Sequence, residues 1–189
     1  METLARWVRR IGFWGGIALG LVYITFLAYT LPSTVKVRVT GTEVVRRDVE
    51  TPDGTRTVED VNYITAEDLD GQPRIFRNVD TGWGWPPYFK FDSGDLLAQA
   101  NNLANDDPPQ TALLRYYGFR IRVLSWVPNT VSMHIVERNY RHVPYFNIAF
   151  GVVHAVVLLW LWLRIRRWRR SAVEVPAVSS GSPESDDPA

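Results

Sequence analysis

Two stretches of this chain contain no Asp, Glu, Lys or Arg: Ile11 to Leu31 and Val143 to Leu163, each 21 residues long. At a helical rise of ~1.5 Å per residue each reaches about 31 Å, the thickness of a hydrocarbon core. Nothing else in the sequence restricts the fold as strongly. Bulk composition conceals it, because 46% hydrophobic content and a formal net charge of +1 average two dry runs with a polar middle. The first run follows Arg6, Arg9 and Arg10, as a signal peptide's apolar region would. It exceeds the ~7 to 15 residues of such a region, and Leu27-Ala28-Tyr29-Thr30 is a poor cleavage site, so retention as an anchor is expected.

Orientation follows from the basic residues beside the runs. Arg6, Arg9 and Arg10 precede the first, and Arg164, Arg166, Arg167, Arg169 and Arg170 follow the second. Cytoplasmic flanks concentrate Lys and Arg, so both termini are expected in the cytoplasm. Trp7, Trp14, Tyr29, Tyr145, Trp160, Trp162 and Trp168 sit near the ends of the runs, where aromatic belts form. The expected organisation is a cytoplasmic N-terminus over 1–10, a transmembrane helix over 11–31, a periplasmic domain over 32–142 and a second transmembrane helix over 143–163. Residues 164–189 then form a basic stop-transfer segment and an acidic tail rich in Ser and Pro that is expected to be disordered. The chain contains no Cys, which removes disulfides, thiolate metal sites and Cys nucleophiles together.

Within the middle, Val35, Val37 and Val39 alternate with Lys36, Arg38 and Thr40, the pattern of a strand with one dry face. A separate strand is expected over 43–49, with Val44-Val45 as a bulge, ending at a turn through Pro52-Asp53-Gly54. Strands over 58–64 and 74–79 follow, joined around Asp68 to Gly71. A Gly- and Pro-rich loop, 81–91, precedes a helix that Asp92 should cap and whose Leu96, Ala100 and Leu103 repeat at helical spacing. Ala112 to Tyr117, Phe119 to Val123 and Val131 to Ile135 read as further strands. The fold class expected is α+β: a mainly antiparallel sheet with one helix in a central extramembrane domain, flanked by two transmembrane α-helices.

The block Arg77-Asn-Val-Asp-Thr-Gly-Trp-Gly-Trp-Pro-Pro-Tyr-Phe-Lys-Phe-Asp-Ser93 resembles the signature of an alphaproteobacterial family catalogued as domain of unknown function 1523. Thr40-Gly41-Thr42-Glu43-Val44, Pro128-Asn129 before Val131-Ser132, and Pro144-Tyr145-Phe146-Asn147-Ile148 agree with it, so the resemblance spans about residues 15 to 160. It implies an inner-membrane protein and brings no activity with it.

Trp83, Trp85, Tyr88 and Phe89 are the candidate binding residues. Their rigid faces could stack on glycan rings, enter lipid headgroups or receive a partner, and the bland alternative is that they cover the sheet as a small core. Gly12, Gly16 and Gly20 lie near one face of the first helix, and Gly151 and Ala155 form a comparable stripe with Asn147 on the second. Small residues allow close helix approach, whether between the two spans or with another subunit. His154 is the only ionisable side chain inside a span; a haem shared between protomers is conceivable, and a hydrogen bond to a neighbouring helix is the plainer use. His134 and His142 lack neighbours at metal-ligand spacing. Asp68, Asp70 and Gly71 only faintly resemble a calcium loop; Asp80, Asp92 and Asp95 could pair as carboxylates for hydrolysis, though Asp92 and Asp95 are better explained by helix capping. No nucleophile elbow, phosphate loop or nucleotide fingerprint occurs.

The function expected is therefore non-catalytic: a scaffold or accessory subunit of a membrane or envelope assembly in a bacterial inner membrane. Its expected partners are the lipid bilayer and a membrane protein or a second copy, with no nucleic acid, cofactor or metal. A periplasmic module that binds glycan or lipid through the aromatic loop is the alternative, and a membrane-anchored hydrolase or redox protein is a distant third.

Overall fold

The computed structural model describes residues 2–50 and 53–171. Residues 172–189, where the disordered tail was expected, and Pro52 of the expected turn lie outside them. The described residues fall into two compact units, divided between His142 and Val143.

In the first unit, helix α1 (Glu2–Thr30) leads through Pro32 into five strands: β1 (Ser33–Glu50), β2 (Arg56–Asp68), β3 (Pro73–Asn78), β4 (Ala112–Tyr117) and β5 (Asn129–Ile135). Helix α2 (Ser93–Ala104) lies between β3 and β4. The strands close in the order β1-β2-β3-β5-β4, antiparallel throughout except where β3 and β5 meet in parallel at Arg77 and Asn129. A small five-stranded Greek-key barrel of this kind, with one helix between β3 and β4, is the OB arrangement. The second unit contains helix α3 (Tyr145–Ser171). Both long helices have stretches apolar and long enough to cross a membrane, Arg9–Thr30 and Tyr145–Trp168.

The architecture is the expected α+β class with a mainly antiparallel sheet. Three local expectations are corrected. The two strands expected over 35–40 and 43–49 are one continuous β1, which pairs with β4 through Ser33 to Val37 and with β2 from Val37 onward. Its irregularity falls between Val39 and Gly41, not at Val44-Val45. Gly41 suits that bend, since a Cβ there would stand 3.2 Å from Thr65 Oγ1. A strand that serves two neighbours must coil around the barrel, and a bulge beside a glycine relieves the strain of doing so. The second correction is at Phe119 to Val123, which alternate like a strand yet form a loop with a short 3₁₀ turn at Arg122–Leu124. Val123 is 94% exposed, so the alternation there marks no buried face.

The third concerns the start of α2. Asp92 makes no side-chain cap. Asp80 supplies the carboxylate instead, accepting from Ser93 N at 2.9 Å and from Ser93 Oγ at 2.8 Å. The free N–H groups of a helix start need an acceptor, and one brought in by the fold serves as well as a sequence neighbour. Leu96, Ala100 and Leu103 then bury their stripe against Val37, Val39, Ile64, Phe76, Leu114 and Met133.

Candidate functional site

The last turn of α1 is bolted to the rim of the barrel. Gly118 N donates to Tyr29 O at 2.9 Å, and the Tyr29 ring meets Tyr117 and Phe119 edge-on at 6.2 and 5.6 Å between centroids. Gly118 has φ +92, and a Cβ there would lie 3.5 Å from the Tyr29 ring, so glycine meets both the backbone and the space requirement. Tyr88 stacks on Tyr117 at 5.0 Å and its hydroxyl donates to Thr30 O. One turn earlier on α1, Phe26 stacks on Trp85 at 5.6 Å with 13° between the planes. Helix and loop are thus joined by rings that also belong to β4 and its following loop.

The aromatic loop divides its side chains sharply. Trp83 is 84% exposed and Trp85 64%, with Phe89 and Phe91 also exposed; Trp83 packs edge-on against those two phenylalanines at 5.5 and 5.6 Å. Trp83, Trp85, Phe89 and Phe91 therefore lie at the surface of the barrel. Tyr88 is half-buried and Lys90 is 4% exposed. The reversal occurs at Phe89, whose φ of 49 lies in the left-handed region that a bulky residue seldom adopts. It sends the ring outward and lets the next side chain turn inward.

Lys90 Nζ donates to Asn78 Oδ1 and to Thr130 O, the latter at 2.8 Å. Burial pushes its ammonium down to about 8, a shift that Asp92 and Asp80 resist. Burial likewise pushes the Tyr88 phenol up to about 12 and raises that of Tyr117, so both remain protonated donors at neutral pH. Asn129 ties the base of the loop to β5: it accepts from Val79 N at 3.0 Å and donates to Val79 O at 2.9 Å and Tyr117 Oη at 3.1 Å. Sequence reasoning passed over Lys90, Tyr117 and Asn129. Alternation of Phe89, Lys90 and Phe91 points the wrong way, since it predicts buried rings and an exposed amine where the structure has the reverse.

Among the other expected residues, a Cβ built on Gly12, Gly16, Gly20 or Gly151 meets nothing within 4 Å, and Ala155 is exposed on α3. His154 stacks on Phe150 at 5.0 Å. Asp68 accepts from the N–H groups of Asp70 and Gln72 and pairs with Arg74 at 3.0 Å, which makes it the organiser of its own turn. Among the described residues no three His, Asp or Glu side chains converge as a metal site requires.

The family model described as "Protein of unknown function (DUF1523)" matches residues 8–169. A protein of Haemophilus influenzae described as "Uncharacterized protein" is 36% identical over 145 residues, covering 73% of this chain and 80% of that protein. These matches do not tie the family to alphaproteobacteria. No solved structure matches the chain.

Proposed function

From the premise that the chain belongs to the family of proteins of unknown function DUF1523, we propose that it is a non-catalytic, two-span protein of a bacterial inner membrane. Its barrel is held against the periplasmic face of the bilayer as an accessory or scaffolding element of an envelope assembly. The observation behind this reading is the stack of Trp85 on Phe26. Phe26 lies inside the apolar stretch that ends at Thr30. If that stretch crosses the bilayer, an exposed Trp85 and its neighbours Trp83, Phe89 and Phe91 lie at the depth of the lipid interface, the medium that aromatic side chains prefer. Exposure that would be costly in water is then favourable.

The arginines flanking both helices support cytoplasmic termini, and the open small-residue faces of α1 and α3 suit contact with another helix, from a partner or a second copy. A second reading, a glycan- or lipid-binding module, draws on the exposed face of Trp83.

Because the chain lacks Cys, single-cysteine variants Trp83→Cys, Phe89→Cys and Gly54→Cys can be spin-labelled in liposomes. Labels at 83 and 89 should be relaxed more by oxygen than by a water-soluble nickel chelate, and the label at 54 the reverse. Reporters after Ala189 and near Gly54 should read cytoplasm and periplasm respectively. Water-exposed labels at all three positions would sink the proposal that the barrel touches the bilayer.

A further inference from the structure

Beside the α1 junction the barrel wall opens into a cavity of about 500 Å³, within the range of small-molecule sites. Its polar lining comes from Arg47 on β1, at the exposed rim, and from Tyr63 on β2 and Arg77 on β3; its flanks are aromatic, with Tyr29 of α1, Trp85 of the loop and Trp126 after β4. Tyr63 and Arg77 are directly opposed across β2 and β3, so they share a face of the sheet. Arg47 Nη2 donates to Tyr63 Oη at 2.8 Å. The Nε of Arg77 is buried and has no hydrogen-bond partner.

Two guanidinium groups therefore line one cavity, and neither forms an ion pair with another described residue, although Glu59 stands directly opposite Arg47 on β2. Asp80 also lines it, but both its oxygens accept from Ser93 at the start of α2. Two side-chain ion pairs, Arg46 with Asp60 and Arg74 with Asp68, lie elsewhere. A buried guanidinium nitrogen left without an acceptor is costly, and an ordered water or an anion in the cavity satisfies it. A phosphate monoester offers three terminal oxygens to two arginines on separate strands, one more than a carboxylate has, and Arg forks match its geometry.

We propose that this cavity binds the phosphoryl group of a phosphorylated organic molecule. Arg47 and Arg77 take the phosphate oxygens, and Tyr29, Trp85 and Trp126 flank the organic part. The phosphate can belong to a lipid headgroup, since Tyr29 and Trp85 place the cavity beside the last turn of α1, or to a soluble phosphorylated polyol. The lipid source rests on the barrel lying against a bilayer; the phosphate site itself does not.

The test is calorimetric titration of the full chain in neutral detergent with glycerol 1-phosphate, with dihexanoyl phosphatidylglycerol, and with glycerol as the uncharged control. Saturable binding of a phosphorylated compound, weakened at least tenfold by Arg77→Gln and by Arg47→Gln and unchanged by the distant Arg56→Gln, is the expected result. Binding of the lipid alone assigns the site to headgroups, and binding of both assigns it to phosphorylated polyols in general. Binding of glycerol phosphate by a protein whose loop labels stay in water would retain the site while removing the bilayer contact. Should Arg77→Gln misfold, Arg47→Gln at the exposed rim decides the matter. No saturable binding of either compound, or wild-type affinity in Arg47→Gln, overturns the proposal.

Discussion

The interior of the barrel and the loop over 79–92 draw on similar large apolar side chains and place them oppositely. Val37, Ile64 and Leu114 are fully buried, while Trp83 is 84% exposed; meanwhile the loop sends a lysine inward. In the strands, the two-residue period puts alternate side chains inside once register is set. The loop has no such period, so each side chain goes where hydrogen bonds and the local medium send it. Apolar character alone does not determine burial. A buried amine with two good acceptors and an exposed indole beside an apolar helix are both satisfied, each by its own surroundings.

The largest effect that could break this contrast is a cavity in the barrel. Leu114→Ala should lower the free energy of unfolding by about 2 to 5 kcal/mol, read from denaturant titration of the full chain in detergent by near-UV circular dichroism. A loss no larger than that of a loop substitution would show that the interior is not the close-packed region.

Lys90 sharpens the contrast through pH. Its folded value, about 8, lies below the ordinary 10.5, so the unfolded chain holds the proton more tightly between those values. Stability from this group is complete above pH 10.5 and is lost as pH falls through 8, an effect of about 3 kcal/mol. Tyr88 acts in the opposite sense, since a phenol pushed up to about 12 contributes stability below pH 10 that disappears at higher pH. Between pH 8 and 10 the lysine therefore acts without interference from Tyr88. Wild-type stability should rise across that window relative to Lys90→Met, and parallel curves for the two proteins would mean that Lys90 is solvated.

The smallest effect belongs to Trp83. Its replacement by Ala should cost less than about 1 kcal/mol in detergent, because little of the ring is removed from solvent and only edge contacts to Phe89 and Phe91 are lost. The same variant should weaken liposome association of proteolytically released barrel fragments, measured by flotation. A cost as large as that of Leu114→Ala would return the tryptophan to the core.

Much of the fold was legible because it follows from local periodicity. The charge-free runs were legible as long apolar helices from their length and composition, since a backbone in apolar surroundings must satisfy its own hydrogen bonds. The stripe Leu96, Ala100 and Leu103 placed the dry face of α2, and alternation placed β2, β3, β4 and β5 to within a few residues. Phe119 to Val123 had the same alternation without the strand, because alternation records which side chains are apolar and not whether a neighbouring strand is present to receive them.

What only the tertiary structure decided are relations between residues distant in sequence. Closure of β1 against both β2 and β4 joins what read as two strands, and Asp80 takes over the cap expected of Asp92. The meeting of Phe26 with Trp85, and of Arg47 and Arg77 with Tyr63 in one cavity, depends on the closed barrel and on α1 ending at its rim. Sequence by itself determined which segments are dry, how long they are and with what period they repeat, because those properties act between near neighbours. Which aromatic rings face outward, and which arginines share a cavity, was decided by closure, because only closure brings those groups within reach of one another.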